Sequence, residues 1–595
     1  MQAESDDQKK FDVIIVGGGV CGALAAKKIS AAGKSVLLLE AGTKEAMDPG
    51  QYDSFISRYY TMGATRGSPN GPYPPNNSAL SPNDSNQDPY FVQVGPQQFL
   101  SDYLRMLGGT TLHWQGTSLR MLPVDFEMQT AYGRGTNWPI TYDHLERFYR
   151  EAEWEIGICA NVEEQANLGV RFPPDYVYPM EKMPQSLVDQ FFMRKLDHAE
   201  VDLFGKPYPL KVVSMPVARN ATPNLRATGY TPVGSTADES VGQRCQGNSS
   251  CSPLCPVQAK YNALKTLAAA LKTKDTHLEI RSQCVASKLR VNACSGRVTG
   301  VEYKEYSVRG KAEYTAKFVE GKVVVLAANA IENAVLMLAS GVVDDSGQLG
   351  RNLMDHPFVV LRGLAPEPVY PFRGPDITSG VESLRDGRFR EKHAAFRAGI
   401  SNWGWVGEPT GSVESLIGRS QFGKAFREQL CDRMSRMVRL GVMIEQLPDA
   451  DNRVTIDPAR TDILGNYLPV LNYKYDDYSL DAAVAAIRTV WPTIVKHAGI
   501  EDTTDFSSVP GGSQSVFQQG LRFNVTGSGH LVGTHRMGHS ADSSVVDTEL
   551  RSWAHGNLYV IGSGSMVTIG TSNPTLTAAA LSLRAAENIL KTWRE

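Results

Sequence analysis

Three cysteines stand within eleven residues of this chain. Cys245, Cys251 and Cys255 fall in "CQGNSSCSPLCP", spaced C-x5-C-x3-C. Thiols crowded in this way admit a structural zinc, a redox cluster, or buried neighbours without a ligand. Structural zinc takes four nitrogen or sulfur ligands, and the nearest histidines, His198 and His277, are not at finger-like spacing. A [4Fe–4S] cluster normally takes four thiolates. No fourth cysteine is close, and Cys284 reads as part of a strand. Three thiolates with an empty corner match a [3Fe–4S] cube, and a closing Cys-Pro is found in iron–sulfur loops. Zinc, a disulfide and unliganded thiols remain open on spacing alone.

A second chemical signal lies near the start. Gly17, Gly19 and Gly22 give G-x-G-x-x-G inside "FDVIIVGGGVCGALAAKKISAAGKSVLLLEAG". Val13 to Val16 form an apolar run suited to a buried parallel strand. Ala23 to Ala32 is small and helix-forming, and "SVLLLE" reads as a second strand ending at Glu40. Strand, glycine turn, helix and strand in that order form the βαβ context in which the motif binds a dinucleotide. Gly17 serves the tight turn, Gly19 the approach of a pyrophosphate, and Gly22 the packing of helix on strand. The helix N-terminus favours the phosphates. Glu40 accepts from both ribose hydroxyls, which argues against a 2′-phosphate.

The elements that must position these groups are spread along 595 residues, enough for two or more structural domains. "GKVVVLAANAIENAVLMLAS" (321–340) reads as a buried strand entering a helix. "GNLYVIGSGSMVTIGTSNPTLTAAALSLRAAENIL" (556–590) reads as a strand, a glycine-rich turn and a final helix. A nucleotide domain assembled from both chain ends and the middle points to a flavoprotein, with a substrate domain inserted between the pieces.

Composition excludes other classes. Net charge is −3, with 42% hydrophobic and 21% charged residues, so neither nucleic acid nor an anionic membrane is a main partner. No apolar run approaches a membrane span, and the polar start "MQAESDDQKK" has no signal-peptide core. Eight cysteines are too few for a disulfide scaffold. The five outside the trio (Cys21, Cys159, Cys284, Cys294 and Cys431) read as buried small apolar residues, a usage suited to a reducing compartment.

"VIIVGGGVCG", "LGGTTLHWQG" (107–116), "GRNLMDHP" (350–357), "GSGHLVGTHRMG" (527–538) and "GTSNPTLTAAALSLRAA" (570–586) resemble the glucose–methanol–choline (GMC) oxidoreductases, in that family's order. "GTHRMG" and "NPTLT" look most like its sugar-oxidising branch, which includes pyranose oxidases and bacterial glucose- and fructose-type dehydrogenases. The resemblance implies an α/β fold: an FAD-binding Rossmann-like domain with an inserted substrate domain on a mostly antiparallel sheet backed by helices. Residues 11–46, 96–160, 240–360 and 525–595 are expected in the FAD domain, including the cysteine loop 245–255. Residues 47–95, 161–239 and 361–524 are expected in the substrate domain and its insertions.

The resemblance also assigns roles. His530 stands where the family keeps its base, and Asn573 where the sugar branch places an orienting amide. Gly108, Gly109 and Thr110 are expected as backbone contacts to FAD. His113 matches a histidine that pyranose oxidases join covalently to flavin, although Leu112 replaces the preceding Thr; a covalent link and simple packing beside the ring both stay open. His535 is expected to support the site. Asp355 and His356 are expected to be structural and away from it. The cysteine trio resembles the cluster-binding loop of bacterial FAD-dependent sugar dehydrogenase catalytic subunits. The implied function is sugar dehydrogenation, with electrons leaving through a [3Fe–4S] cluster to a cytochrome c or quinone-linked partner. The alternative is an oxidase making hydrogen peroxide. Such dehydrogenases pair with a small chaperone-like subunit carrying an export signal, so periplasmic co-export and cytoplasmic residence are both expected possibilities.

Overall fold

A computed structural model describes residues 4–5, 9–44, 90–227, 242–247, 255, 257–273, 276–308, 311–402, 416–417, 421–510 and 512–593. Cys251 and most of the expected segment 47–95 lie outside the described residues. The elements that build the site are, in chain order, β1 (Phe11–Val16), α1 (Val20–Ala31), β2 (Val36–Leu39), β3 (Val212–Ser214) and α2 (Ala263–Lys272). There follow β4 (Leu278–Arg281), β5 (Cys284–Val291), β6 (Val298–Glu305), β7 (Thr315–Leu326) and α3 (Ala330–Ala339). Strands β8 (Phe358–Leu364), β9 (Ile377–Val381), β10 (Phe396–Ser401) and β11 (Met437–Ile444) come next. The chain closes with β12 (Ser513–Gln518), β13 (Leu521–Thr526), β14 (Leu558–Val560) and α4 (Thr575–Thr592).

One eight-stranded sheet has the order β4-β2-β1-β7-β6-β5, with β14 and the short strand Glu4–Ser5 also paired to β7. Strand β7 changes partners along its length. Its last residues pair parallel with β1 (Val323 with Val13) and β14 (Val324 with Leu558), while its first half pairs antiparallel with β6. The parallel part is covered on both faces. Val13, Ile14, Ile15, Val324 and Val325 are all fully buried, as continuous β-branched runs in such sheets require. Helix α1 presents Ala23, Ala25 and Ala26 to this core and packs against α2 and α4. Small side chains let these axes approach closely.

The second eight-stranded sheet has the order β12-β13-β8-β11-β10-β9-β3, with Glu501–Asp502 added beside β8. Every pairing in it is antiparallel. Its strands alternate, as a half-buried sheet must. Phe396, Ala398, Ile400, Leu440, Val442 and Ile444 face a core shared with Leu480, Trp491 and Ile494 from the helical stretch 477–498. The intervening Arg397, Gly399, Ser401, Arg439, Gly441 and Met443 face a cavity. Both expected sheet types are therefore present.

The scattered cysteines divide. Cys21, Cys159 and Cys284 are buried, but Cys294 and Cys431 are exposed, which corrects the expectation that all five are core residues. Cys294 lies in the turn between β5 and β6, and Cys431 on the helix Gly423–Arg436, which buries no residue. Among the described residues no helix is long and apolar enough to cross a membrane.

Candidate active site

The cavity holds about 860 Å³ and lies between the two sheets. One end opens off the carboxyl ends of three parallel strands. It is lined by Val16 and Gly17 after β1, Ala328 and Asn329 after β7, and Ile561 and Gly562 after β14. Ligands of open α/β sheets bind at this edge.

Backbone geometry shapes that end. Gly17 has φ +107°, and a Cβ there would lie 2.7 Å from Ala327 O. A Cβ on Gly22 would lie 2.0 Å from Gly17 O, whereas one on Gly19 would meet nothing within 4 Å. Gly19 therefore borders the open space, as an approaching pyrophosphate requires. Among the described residues no side chain caps α1, so its first N–H groups suit an anion. Glu40 accepts from Gly18 N (2.8 Å) and Gly42 N (2.7 Å), which fixes its carboxylate on the cavity wall. Burial pushes this carboxyl above its usual range, against the pull of those amides and Arg105. A long cavity, an uncapped helix and a fixed carboxylate fit FAD.

The expected contacts from 108 to 113 form a tight turn. Gly109, Thr110 and His113 line the cavity. Gly108 takes φ +98° and donates its N–H to Gly18 O at 3.0 Å, tying this turn to the glycine loop. Burial, then the nearby Lys260 charge, brings the His113 imidazole down to about 4, so it is neutral at pH 7.

At the other end His530 and Asn573 meet across the cavity wall, with His530 Nε2 3.2 Å from Asn573 Nδ2. The structure also brings in His356, whose Nδ1 lies 2.8 Å from His530 Nδ1 and whose Nε2 lies 2.9 Å from Gly570 O. This overturns the expectation that Asp355 and His356 stand away from the site. Asp355 Oδ1 accepts the backbone N–H groups of His356 (2.7 Å) and His530 (3.1 Å). Its Oδ2 accepts from Ser528 N and from the Ser101 hydroxyl. One buried carboxylate thus gathers two chain segments 175 positions apart, and burial raises it to about 7.

The polarity of this hydrogen-bond chain follows from its ends. Gly570 O can only accept, so His356 carries its proton on Nε2 and accepts at Nδ1. His530 then donates from Nδ1, leaving a lone pair on Nε2. Burial first, then His356 and Arg397, hold the His530 imidazole well below the usual histidine range. His356 is brought down to about 3, mainly by burial. The arrangement presents a neutral imidazole nitrogen, ready to take a proton, beside an amide donor.

His535 does not join this group. It is fully buried between Ser565 Oγ (3.1 Å) and Asn333 Nδ2 (3.3 Å), where it supports the turn after β14. The dipeptide Asp355–His356 was visible in "GRNLMDHP", but nothing in sequence placed it against His530. Arg397 gave no local signal at all.

The cysteine loop adjoins the cavity through main-chain bonds. Gln115 and Gly116 line the wall, Ala218 N donates to Gly116 O (2.7 Å), and Cys245 N donates to Asn220 O (2.9 Å). Cys245 and Cys255 are both half-buried. Burial pushes the Cys245 thiol up, and the neighbouring Cys255 adds to this while Arg219 opposes it.

Comparison with known proteins covers most of the chain. Two GMC oxidoreductase family models match residues 11–358 and 448–582. The fructose dehydrogenase large subunit of Gluconobacter japonicus is 29% identical over 99% of this chain and 100% of its own length. The gluconate 2-dehydrogenase flavoprotein of Pantoea cypripedii is 22% identical over 98% of this chain and 94% of its own. The solved structure of pyridoxine 4-oxidase from Mesorbium loti shares the fold, with TM-score 0.60 and 17% identity over 97% of this chain and 99% of that one. The agreement of the matched segments with the two sheets, and with the cavity between them, places this chain in the GMC oxidoreductase family, whose members bind FAD and oxidise CH–OH groups.

Proposed function

We propose that the protein is an FAD-dependent sugar dehydrogenase that passes electrons through a [3Fe–4S] cluster to a cytochrome c or quinone-linked partner. The observation that carries the reading is His530 Nε2 standing 3.2 Å from Asn573 Nδ2 on the cavity wall. Bound FAD supplies a two-electron acceptor for the hydride at its N5. The chain's residues handle the proton and the orientation. His530 Nε2 takes the hydroxyl proton, a transfer worth roughly 10²- to 10⁴-fold in rate. A weakly basic imidazole suffices, because the hydroxyl becomes strongly acidic as hydride leaves its carbon. Asn573 cannot titrate; it holds the reacting oxygen so that the C–H bond keeps one direction. Gly17, Gly19, Gly22, Glu40, Gly109 and Thr110 would hold the dinucleotide, with Gly108 setting the turn.

Cys245, Cys251 and Cys255 would hold the iron–sulfur cluster, which supplies one-electron transfer from the flavin to an external acceptor. Two features support this reading: Gln243 N donates to Val257 O (2.9 Å), two residues from Cys245 and Cys255 respectively, and three residues of main chain, 218–220, join their loop to the cavity wall. The names of the two dehydrogenase relatives, a large subunit and a flavoprotein, support partner subunits and an oxidised sugar or sugar acid as substrate class.

The test uses anaerobically purified holoprotein and a sugar panel with a dye acceptor. The expected results are flavin bleaching by a sugar and an iron–sulfur electron paramagnetic resonance signal. His530→Ala should slow bleaching about 100-fold or more with FAD retained. Cys251→Ser should remove the iron–sulfur signal and slow cytochrome reduction, while bleaching by sugar survives. Peroxide formed in air at the full turnover rate, with no iron in the protein, would establish the oxidase reading instead.

A further inference from the structure

Arg397 sits on β10, a central strand of the second sheet, with its side chain 4% exposed and directed to the cavity. Its three nitrogens have separate partners. Nη1 donates to Asn573 Oδ1 at 2.7 Å, Nε donates to Glu382 Oε1 at 3.0 Å, and Nη2 contacts Met215 Sδ. A guanidinium can only donate. Asn573 must therefore turn Oδ1 toward Arg397 and its NH₂ toward His530. The hydrogen-bond chain that begins at Gly570 O ends on a group of fixed polarity, so both ends impose the same proton placement on His530. The loop carrying Asn573 is clamped further by Arg385, which donates to Thr571 Oγ1 (3.1 Å) and Ser572 Oγ (2.7 Å).

We propose that Arg397 is a positioning residue for the oxidation: it locks the Asn573 amide so that His530 Nε2 keeps a lone pair, and not a proton, for the reacting hydroxyl. This rests on His530 being the base, and it adds a residue contributed by the substrate sheet. Without Arg397 the amide is free to rotate. Its oxygen would then face His530 Nε2 and favour the Nε2–H tautomer or the imidazolium, both useless as a base. The Arg397 charge acts in the same direction, since a nearby cation disfavours protonation of an imidazole. The other charged or titratable groups around His530 are His356 and Asp355 on its own side. Asp102 stands next to Asp355, Glu382 pairs with Arg397, and Arg439 lines the cavity on the adjacent strand.

The experiment is histidine ¹⁵N NMR on the FAD-loaded protein, assigned with His530→Ala, together with the pH dependence of flavin reduction. In the wild type, His530 should show a protonated Nδ1 and an unprotonated Nε2. In Arg397→Met the tautomers should mix. The acid limb of the rate should move up by about one pH unit, as expected for losing a neighbouring charge. The sign follows from the base being active above its pKa: raising that pKa removes activity at low pH first. Arg397→Lys keeps the charge and a head that can only donate, so its limb and its tautomer should both stay near wild type. If Arg397→Met fails to accumulate as yellow protein, the tautomer ratio in Arg397→Gln, whose amide can donate or accept, decides. Unchanged ¹⁵N shifts and an unmoved limb would overturn the role of Arg397 while leaving the base in place. Full activity in His530→Ala would instead overturn the base itself.

Discussion

The two ends of the cavity are built in opposite ways. The nucleotide end is made of backbone. Gly17, Gly19, Gly22 and Glu40 lie within 24 consecutive residues, and their work is done by main-chain conformation and one fixed carboxylate. The reaction end is made of side chains. His356 and His530 are 174 positions apart, and Arg397 and Asn573 are 176 apart, yet they form one hydrogen-bonded chain. At Gly17 and Gly22 the first kind of site has no room for an extra atom. The second tolerates substitution but loses alignment.

This contrast can be broken first at Gly22. Gly22→Val places carbon where Gly17 O stands, 2.0 Å away. The expected outcome is complete loss of FAD from the purified protein, read by absorbance at 450 nm; a yellow variant would mean that the loop relaxes as side-chain sites do. A smaller effect is expected at His356. His356→Ala removes the acceptor for His530 Nδ1–H, a hydrogen bond worth about 1 kcal/mol, so flavin reduction should fall roughly fivefold with FAD retained. His356→Gln keeps a carbonyl acceptor and should recover part of the rate, which a purely structural loss would not allow. Equal rates in all three proteins would detach His356 from the mechanism.

The smallest expected effect sharpens the boundary between the two ends, where His113 lies. If His113 is joined to flavin, acid-precipitated wild type stays yellow and His113→Ala releases its colour. If His113 only packs beside the ring, the wild-type supernatant turns yellow while dehydrogenation continues. Either result places His113 on one side of the contrast: bonded cofactor support, or cavity wall.

The sequence by itself determined much of the framework. The run Val13–Val16, the glycine turn and the helix after it are local. Contiguous apolar residues, missing Cβ atoms and small helix formers specify them wherever the rest of the chain goes. The strand–helix unit near 321–340 and the closing strand–turn–helix were legible for the same reason, although β7 begins at Thr315, earlier than that segment. His530 and Asn573 were legible as residue types in family motifs. Tertiary structure alone decided what they touch. A hydrogen bond reaches about 3 Å, and whether His356 or Arg397 falls within that reach depends on how the second sheet closes over the first. Alternation along β10 places Arg397 on the cavity face, but only its register against β11 and the packing of loop 570–573 bring it to Asn573. The same closure removes water from His530 and so sets its charge state. Pattern along the chain records which face a residue takes; it holds no record of the partner it meets across a cavity.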